Sequence, residues 1–202
     1  MAAPLITLLL LSTLQIAPDF LAYFNLLAGG ADNGWKLLGD SNLDWGQDLR
    51  GLAKWVEAEQ VDEIWLSYFG EGRPDYYNIP YRGLDSVPPR LMSADHNPLY
   101  PTDPAPGIYA ISATNLQGVL FKDHDQFAYF RQREPFAKIG YSIFLYKVEP
   151  RGEPAALLLP NLNLQETPPE IYAQLGGNDI RPIWYTPATT SVYPHEGGYH
   201  LT

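Results

Sequence analysis

The distribution of proline is the feature that most limits what this chain can fold into. Residues 71–106 and residues 150–202 hold eight prolines each, whereas residues 31–70 and 107–149 are apolar and periodic. Proline interrupts helices and central strands because it lacks an amide hydrogen. The sequence therefore predicts one α/β domain over residues 31–149. The two proline-rich stretches are expected to form loops or arms, the first as an insertion and the second as a C-terminal extension.

Each periodic block indicates a strand, a helix and a second strand. The predicted elements are, in chain order, a strand at 35–40, a helix beginning near 49, a strand at 63–70, a strand at 107–112, helical pieces within 114–133 and a strand at 142–148. Helical spacing of apolar residues identifies the first helix, and near-continuous apolar runs identify the buried strands. Two βαβ units favour a mostly parallel sheet with helices packed on it.

Polar residues follow these strands at the edge where parallel sheets bind ligands. The stretch DSNLDWGQ follows the first predicted strand, and ATN follows the strand at 107–112. We expect Asp40, Asn42 and Gln47 to form a hydrogen-bonded cluster with Ser112 and Asn115, because buried carboxylates and amides need partners. These five residues are the ligand-binding candidates. The cluster can equally have a purely structural purpose, and both interpretations stay open.

Asp44 has a separate predicted role. The pattern D-x-x-Q, formed with Gln47, is typical of a capping box, so we expect Asp44 to cap the following helix. An EF-hand is excluded, because Trp45 stands where that loop needs glycine and Gly51 where it needs glutamate. A less regular cation site in this stretch is the alternative.

The first 30 residues are expected to form an apolar helix close to a membrane. Residues 1–18 carry no charge, and as a helix they would span about 27 Å, close to the roughly 30 Å of a hydrocarbon core. Aromatic residues typical of a bilayer interface follow, at Phe20, Tyr23 and Phe24. A signal peptide is the first alternative, although a basic start and a small-residue cleavage site are missing. A buried helical hairpin is the second.

Charge and composition exclude several classes of function. The net charge of −10, without any basic run, argues against nucleic acid as a partner. The absence of cysteine excludes disulfides, thiolate catalysis and cysteine-bound zinc. His195, Glu196 and His200 lie in a glycine-broken tail that is more typical of solvated side chains than of a metal site. We therefore expect neither a metal nor another cofactor.

Three segments together resemble a known family. They are YFNLLAGGADNGWKLLGDSNLDWGQDLRGLAKW, YAISATNLQG and REPFAKIGYSIFLYKV. In order and spacing they resemble the C-terminal soluble region of bacterial protein-mannosyltransferase-like membrane glycosyltransferases, over about residues 18–148. Those polytopic proteins have the C-type glycosyltransferase fold and take sugars from polyprenyl-phosphate carriers. The resemblance implies a region outside the cytoplasm that follows the last transmembrane helix, with residues 1–30 as its remnant or substitute.

The resemblance implies no catalytic residue in this chain. The family's catalytic acids lie in the first extracytoplasmic loop, which has no counterpart here. The sequence thus favours an accessory domain, not catalytic alone, with the membrane, the polytopic transferase region or other envelope proteins as partners. One alternative is an envelope module for carbohydrate binding or assembly, with aromatic stacking surfaces that could bind a glycan or lipid-linked sugar. Another is a small enzyme that uses Asp40, Asp44 and Asp48. The aromatic candidates are Trp35, Trp45, Tyr76, Tyr77 and Tyr109.

Overall fold

The computed structural model describes residues 2–25, 27, 29–39, 43–89, 97–175, 179–190 and 198–200. The α-helices are α1 (Ala2–Gln15), α2 (Ala31–Gly34), α3 (Leu49–Ala58), α4 (Ala113–Gln117), α5 (Ala128–Arg131) and α6 (Pro169–Gln174). The strands are β1 (Ile64–Ser67), β2 (Tyr81–Gly83), β3 (Gly107–Ser112), β4 (Ala137–Ile139), β5 (Ile143–Val148), β6 (Pro154–Pro160), β7 (Asp179–Tyr185) and β8 (Gly198–His200). Short 3-10 helices lie at Phe20–Ala22, Pro74–Tyr77 and Leu164–Glu166.

The central sheet has five strands in the order β2-β1-β3-β5-β4. Strand β1 pairs in parallel with β2 and β3, whereas β5 pairs antiparallel with β3 and β4. Four of the five strands therefore run in the same direction, and β5 is reversed. The expected α/β class with a mostly parallel sheet and helices is confirmed.

The arrangement into two βαβ units differs from the prediction. Residues 35–37, which belong to the strand expected at 35–40, form a turn in which the amides of Leu37 and Leu38 donate to the carbonyl of Gly34. The second predicted βαβ unit does not form, because β5 enters the sheet through a hairpin with β4. Only three residues separate Ile139 from its partner Ile143, so the chain must reverse there. The parallel neighbour β2 lies inside the insertion that was expected to be a loop.

Helix α3 covers one face of the central sheet. Its apolar residues Leu49, Leu52 and Val56 recur at helical spacing and are buried in one cluster with Ile64 and Leu66 of β1. This packing fixes the start of α3 beside the carboxyl end of β1. The residues just before α3 are therefore held at the edge of the sheet.

An aromatic core fills the other face. Tyr109 of β3 packs against Phe130 of α5, with ring centroids 4.8 Å apart. Trp35 meets Phe144 of β5 edge-on at 5.2 Å, which attaches the turn after α2 to the sheet. Offset and edge-on aromatic pairs of this kind add to the burial of apolar surface. The segment before the DSNLDWGQ stretch is thus anchored by packing.

The C-terminal stretch contains a second sheet in addition to irregular chain. Strand β6 lies between β7 and β8, and both pairings are parallel. The expectation of a proline-rich arm is therefore wrong for this part. Pro182 is accommodated because β7 is an edge strand within the described residues, and Pro154 and Pro160 stand at the ends of β6.

Helix α1 is apolar, as the sequence suggests, but it covers only part of the helix expected over residues 1–30. Its 14 residues span about 21 Å, and within the described ranges no helix has the length and hydropathy to cross a membrane. The C-terminal end of α1 is attached to the domain: Ile16, just beyond it, is buried in the core, and Ser12 Oγ lies 3.1 Å from Tyr23 Oη.

Candidate functional site

The candidate site lies where β1 and β3 end side by side. Asn115 Nδ2 donates to Ser67 Oγ at 2.9 Å, and Ser67 Oγ donates to the carbonyl of Asp85 at 2.7 Å. The amide of Phe69 donates to Ser112 Oγ at 2.9 Å. Ser67, Ser112 and Asn115 are all fully buried. The two strand ends are therefore joined by polar side chains, among them Ser112 and Asn115.

A tight turn at Gly46 brings Asp44 to this edge. Asp44 Oδ1 accepts from the Gly46 amide at 3.0 Å. Gly46 has φ +79°, and a Cβ on it would lie 1.7 Å from Tyr68 Oη. The same tyrosine hydroxyl donates to the Gly46 carbonyl at 3.2 Å. Only glycine fits this turn, because the conformation is left-handed and the Tyr68 ring fills the space beside it.

The Asp44 carboxyl is completely buried, with consequences for its charge. Burial raises its pKa from 3.8 to about 7, the Gly46 amide opposes that rise, and the nearby Asp48 adds to it. The hydroxyls of Ser112 and Ser142 lie near enough to lower the pKa slightly. Asp44 Oδ2 nevertheless has no hydrogen bond of normal geometry to any described residue. Near neutral pH this group can hold or release a proton.

Asp48 is enclosed by the turn between β4 and β5. Ser142 Oγ donates to Asp48 Oδ2 at 2.7 Å, and burial raises the pKa of Asp48 in spite of that bond and of the amides of Tyr141 and Ser142. Gly140, with φ +54°, has no room for a side chain, because a Cβ there would lie 2.3 Å from Asp48 Oδ2. The turn that reverses the chain into β5 was not predicted from the sequence. It encloses the carboxyl pair formed by Asp44 and Asp48.

The structure corrects two predicted roles. Helix α3 begins at Leu49 with Asp48 at its N-cap position, so Asp44 does not cap it. The turn at Gly46 separates Asp44 from the start of α3 and directs its side chain inward. Gln47 is exposed and bonds locally, accepting from the Trp45 amide at 2.8 Å and donating to the Leu43 carbonyl at 3.1 Å. It does not join Ser112 and Asn115.

The other predicted residues have different outcomes. Asp40 and Asn42 lie outside the described residues, as do His195 and Glu196. Among the described residues no group of three or more histidine, cysteine, aspartate or glutamate side chains could hold a metal. Ser67, Tyr68 and Ser142 were missed, because a serine or tyrosine inside an apolar run carries no sequence signal of its own. Their roles come from the pairing of distant strands.

The aromatic candidates divide by exposure. Tyr109 is fully buried, and Trp35 is partly buried against the core, so neither offers a stacking surface in the described structure. Trp45 and Tyr76 are largely exposed, and Trp45 directly follows Asp44. Tyr77 packs edge-on against Tyr76 with centroids 5.1 Å apart.

We expect Ser142→Ala to destabilise the protein by about 1 to 3 kcal/mol, because it removes a hydroxyl donor from the buried Asp48 carboxylate. Urea unfolding at pH 7.5 measures this difference. Thr102→Ala, at an exposed hydroxyl, is the control and should change stability by less than about 0.5 kcal/mol. Equal small effects of the two substitutions would contradict a structural role for the Ser142–Asp48 bond.

The edge thus combines a buried carboxyl pair, three buried serines and one asparagine, joined across two strands and a hairpin turn. Such a set can store a proton and fix the ends of the strands. General acid or base catalysis would also require contact with a substrate, whereas Asp44 is fully buried and Asp48 is only 8% exposed.

Comparisons of this chain with protein-family models, curated proteins and solved structures gave no match.

Proposed function

We propose that this protein is a membrane-attached accessory domain of an extracytoplasmic glycosyltransferase system that uses polyprenyl-phosphate-linked sugars. On this proposal the domain is not catalytic by itself. The observation that carries its membrane attachment is the apolar surface of α1. The link to sugar transfer is supported by the sequence resemblance over about residues 18–148.

Helix α1 exposes aliphatic side chains on every side. Four of them, at positions 8 to 11, are consecutive leucines, and consecutive residues point about 100° apart around a helix. A helix that is apolar all round is stable in apolar surroundings, not in water. Burying a large aliphatic side chain stabilises by about 1.5 to 3 kcal/mol. The large aliphatic residues more than half exposed on α1 are Ile6, Leu8, Leu9, Leu10, Leu11 and Leu14.

The burial of the carboxyl pair supports an accessory role over the small-enzyme alternative. A catalytic carboxyl must come within hydrogen-bond distance of its substrate. Asp44 is fully buried beneath the turn at Gly46, and Asp48 is enclosed by the turn that contains Ser142. Both groups instead hold together the elements that meet at the sheet edge.

Trp45 supports the second candidate function, an envelope module for carbohydrate binding. Its ring is largely exposed beside the buried cluster, and exposed aromatic rings offer apolar faces on which sugars stack. Glycan binding that Trp45→Ala abolishes, by a chain that does not bind membranes, would favour this candidate over the accessory domain.

We expect the full chain to float with neutral phosphatidylcholine vesicles, and Leu9→Asp to weaken that binding at least tenfold. A charged residue within an inserted helix costs about 2.5 to 3.5 kcal/mol. Phe136→Asp is a matched control, because Leu9 is 55% and Phe136 52% exposed, while Phe136 lies outside α1. A wild-type chain that stays with the unbound fraction would overturn the membrane attachment.

Transfer activity is tested separately. The purified chain, incubated with a polyprenyl-phosphate-linked hexose and glycan acceptors, should neither release nor transfer the sugar. Turnover by the chain alone would contradict the non-catalytic assignment and revive the carboxylate cluster as an active site.

A further inference from the structure

We propose a second membrane contact on this protein, formed by two adjacent loop tips that bind the headgroups of anionic phospholipids. The proposal rests on the membrane attachment proposed above and adds a specific surface and lipid class to it. We name this surface the tip patch. Its residues are Lys36, Leu37, Leu38, Val119, Leu120 and Lys122.

Gln117 joins the two loops that carry the tip patch. Its side-chain amide donates to the carbonyl of Trp35, directly before the first tip. A Cβ on Gly39, directly after that tip, would lie 2.7 Å from Gln117 Oε1. The second tip begins one residue beyond, at Gly118, which has φ +77° and accepts from the Phe121 amide at 3.1 Å. The two pairs of aliphatic residues therefore lie next to each other.

The aliphatic side chains of the tip patch remain exposed although the core is nearby. Leu37 is 61%, Leu38 49%, Val119 66% and Leu120 48% exposed. Both tips are held by aromatic residues that pack inward, because Phe121 lies 5.6 Å from Phe127 between ring centroids and Trp35 packs on the sheet. Rigid turns thus present apolar side chains to solvent, and such patches mark interaction surfaces.

The charge on the tip patch favours an anionic surface. The chain has a net charge of −10, yet Lys36 directly precedes the first aliphatic pair and Lys122 follows the second after Phe121, and both lysines are exposed. Asp125, close to Lys122, is engaged by Arg131 at 2.7 Å. Asp123 accepts from the Asp125 amide at 2.9 Å but keeps its charge, so within the two described tips two lysines stand against one carboxylate that no basic side chain engages. Lysine beside exposed aliphatic residues matches lipid headgroups above acyl chains.

Continuity with α1 places the tip patch near the membrane. Tyr23 contacts Ser12 of α1, and the next residue, Phe24, fills the space beside Gly34, where a Cβ would lie 2.1 Å from its ring. Gly34 accepts the amides that close the first tip. A short chain of packed residues therefore runs from α1 to Leu37. Four aliphatic side chains are also too few for a stable protein interface, which buries about 800 Å² on each partner.

Vesicle flotation of the full chain tests whether the lysines of the tip patch bind anionic lipid. Phosphatidylcholine vesicles with phosphatidylglycerol should bind the wild-type chain about tenfold or more tightly than neutral ones, since each lysine contributes near an anionic surface. Lys36→Gln with Lys122→Gln should remove that preference and leave neutral-vesicle binding unchanged. Lys54→Gln with Lys147→Gln, at exposed lysines elsewhere, is the matched control and should retain the preference. Equal preference in both double variants would overturn the tip patch.

A fluorescent probe gives an independent readout, because the chain has no cysteine of its own. Leu38→Cys labelled with an environment-sensitive dye should shift to the blue on anionic vesicles, whereas labelled Asp62→Cys should not. Floating chain with no shift at Leu38 would overturn the tip patch but leave the α1 attachment standing. A wild-type chain that floats with neither type of vesicle would overturn both.

Discussion

We expect Asp44→Asn to stabilise the protein more at pH 8 than at pH 5, with the difference widening by roughly 2 kcal/mol over that range. The Asp44 carboxyl has a pKa of 3.8 when solvated and about 7 in the fold. The stabilisation from its protonated form is therefore complete below pH 3.8 and is lost as the pH rises through 7. Asparagine keeps an acceptor for the Gly46 amide and never ionises. Urea unfolding of both proteins at several pH values measures the difference.

The control substitution must lie away from the titratable groups around Asp44. Asp48 faces it and raises its pKa, and burial together with the Asp44 charge raises the pKa of Tyr68, so that tyrosine stays neutral in this range. Asp62→Asn, at an exposed position, should shift stability by less than about 0.5 kcal/mol at every pH. If the curves of Asp44→Asn and wild type ran parallel, Asp44 would not be the titrating group.

The second large effect is expected from Gly46→Ala, which should cost about 3 kcal/mol or more. The left-handed backbone alone costs about 1 kcal/mol for alanine. The new Cβ would also lie 1.7 Å from Tyr68 Oη, so a fully buried ring must move. Thermal or urea unfolding measures the loss.

A second substitution, at Tyr68, separates the two causes. In a Tyr68→Leu background, Gly46→Ala should cost at least about 1 kcal/mol less than in wild type, since the two residues are in contact. Equal costs of Gly46→Ala in the two backgrounds would show that Tyr68 does not confine the turn.

The parts of the fold that depend on local pattern were predictable. Strands β1, β3 and β5 lie within segments read from apolar runs, and α3 follows from the spacing of Leu49, Leu52 and Val56. Ser112 and Asn115 were placed at the correct edge for the same reason. The direction of β5 could not be predicted from the sequence. It depends on a hairpin whose turn at Gly140 closes around Asp48, a residue 92 positions earlier in the chain.

The cap prediction failed for a related physical reason. D-x-x-Q is equally compatible with a capping box and with the tight turn that Gly46 permits, and the position of Tyr68 decides between them. Ser67 and Ser142 gave no signal because their partners, Asn115 and Asp48, are distant in sequence. A buried polar network is a tertiary property, and its members are recognised only once the strands are paired.

The second sheet gives the molecule a further apolar core. Strands β6 and β7 have an apolar core of their own, which includes Leu157 and Leu159 and is separate from the two cores of the central sheet. Trp184 of β7 reaches Trp65 of β1 edge-on, with centroids 6.0 Å apart. Sub-global opening follows such divisions. We therefore expect the second sheet to open on its own while the carboxyl pair stays buried, an event that would separate Trp184 from Trp65.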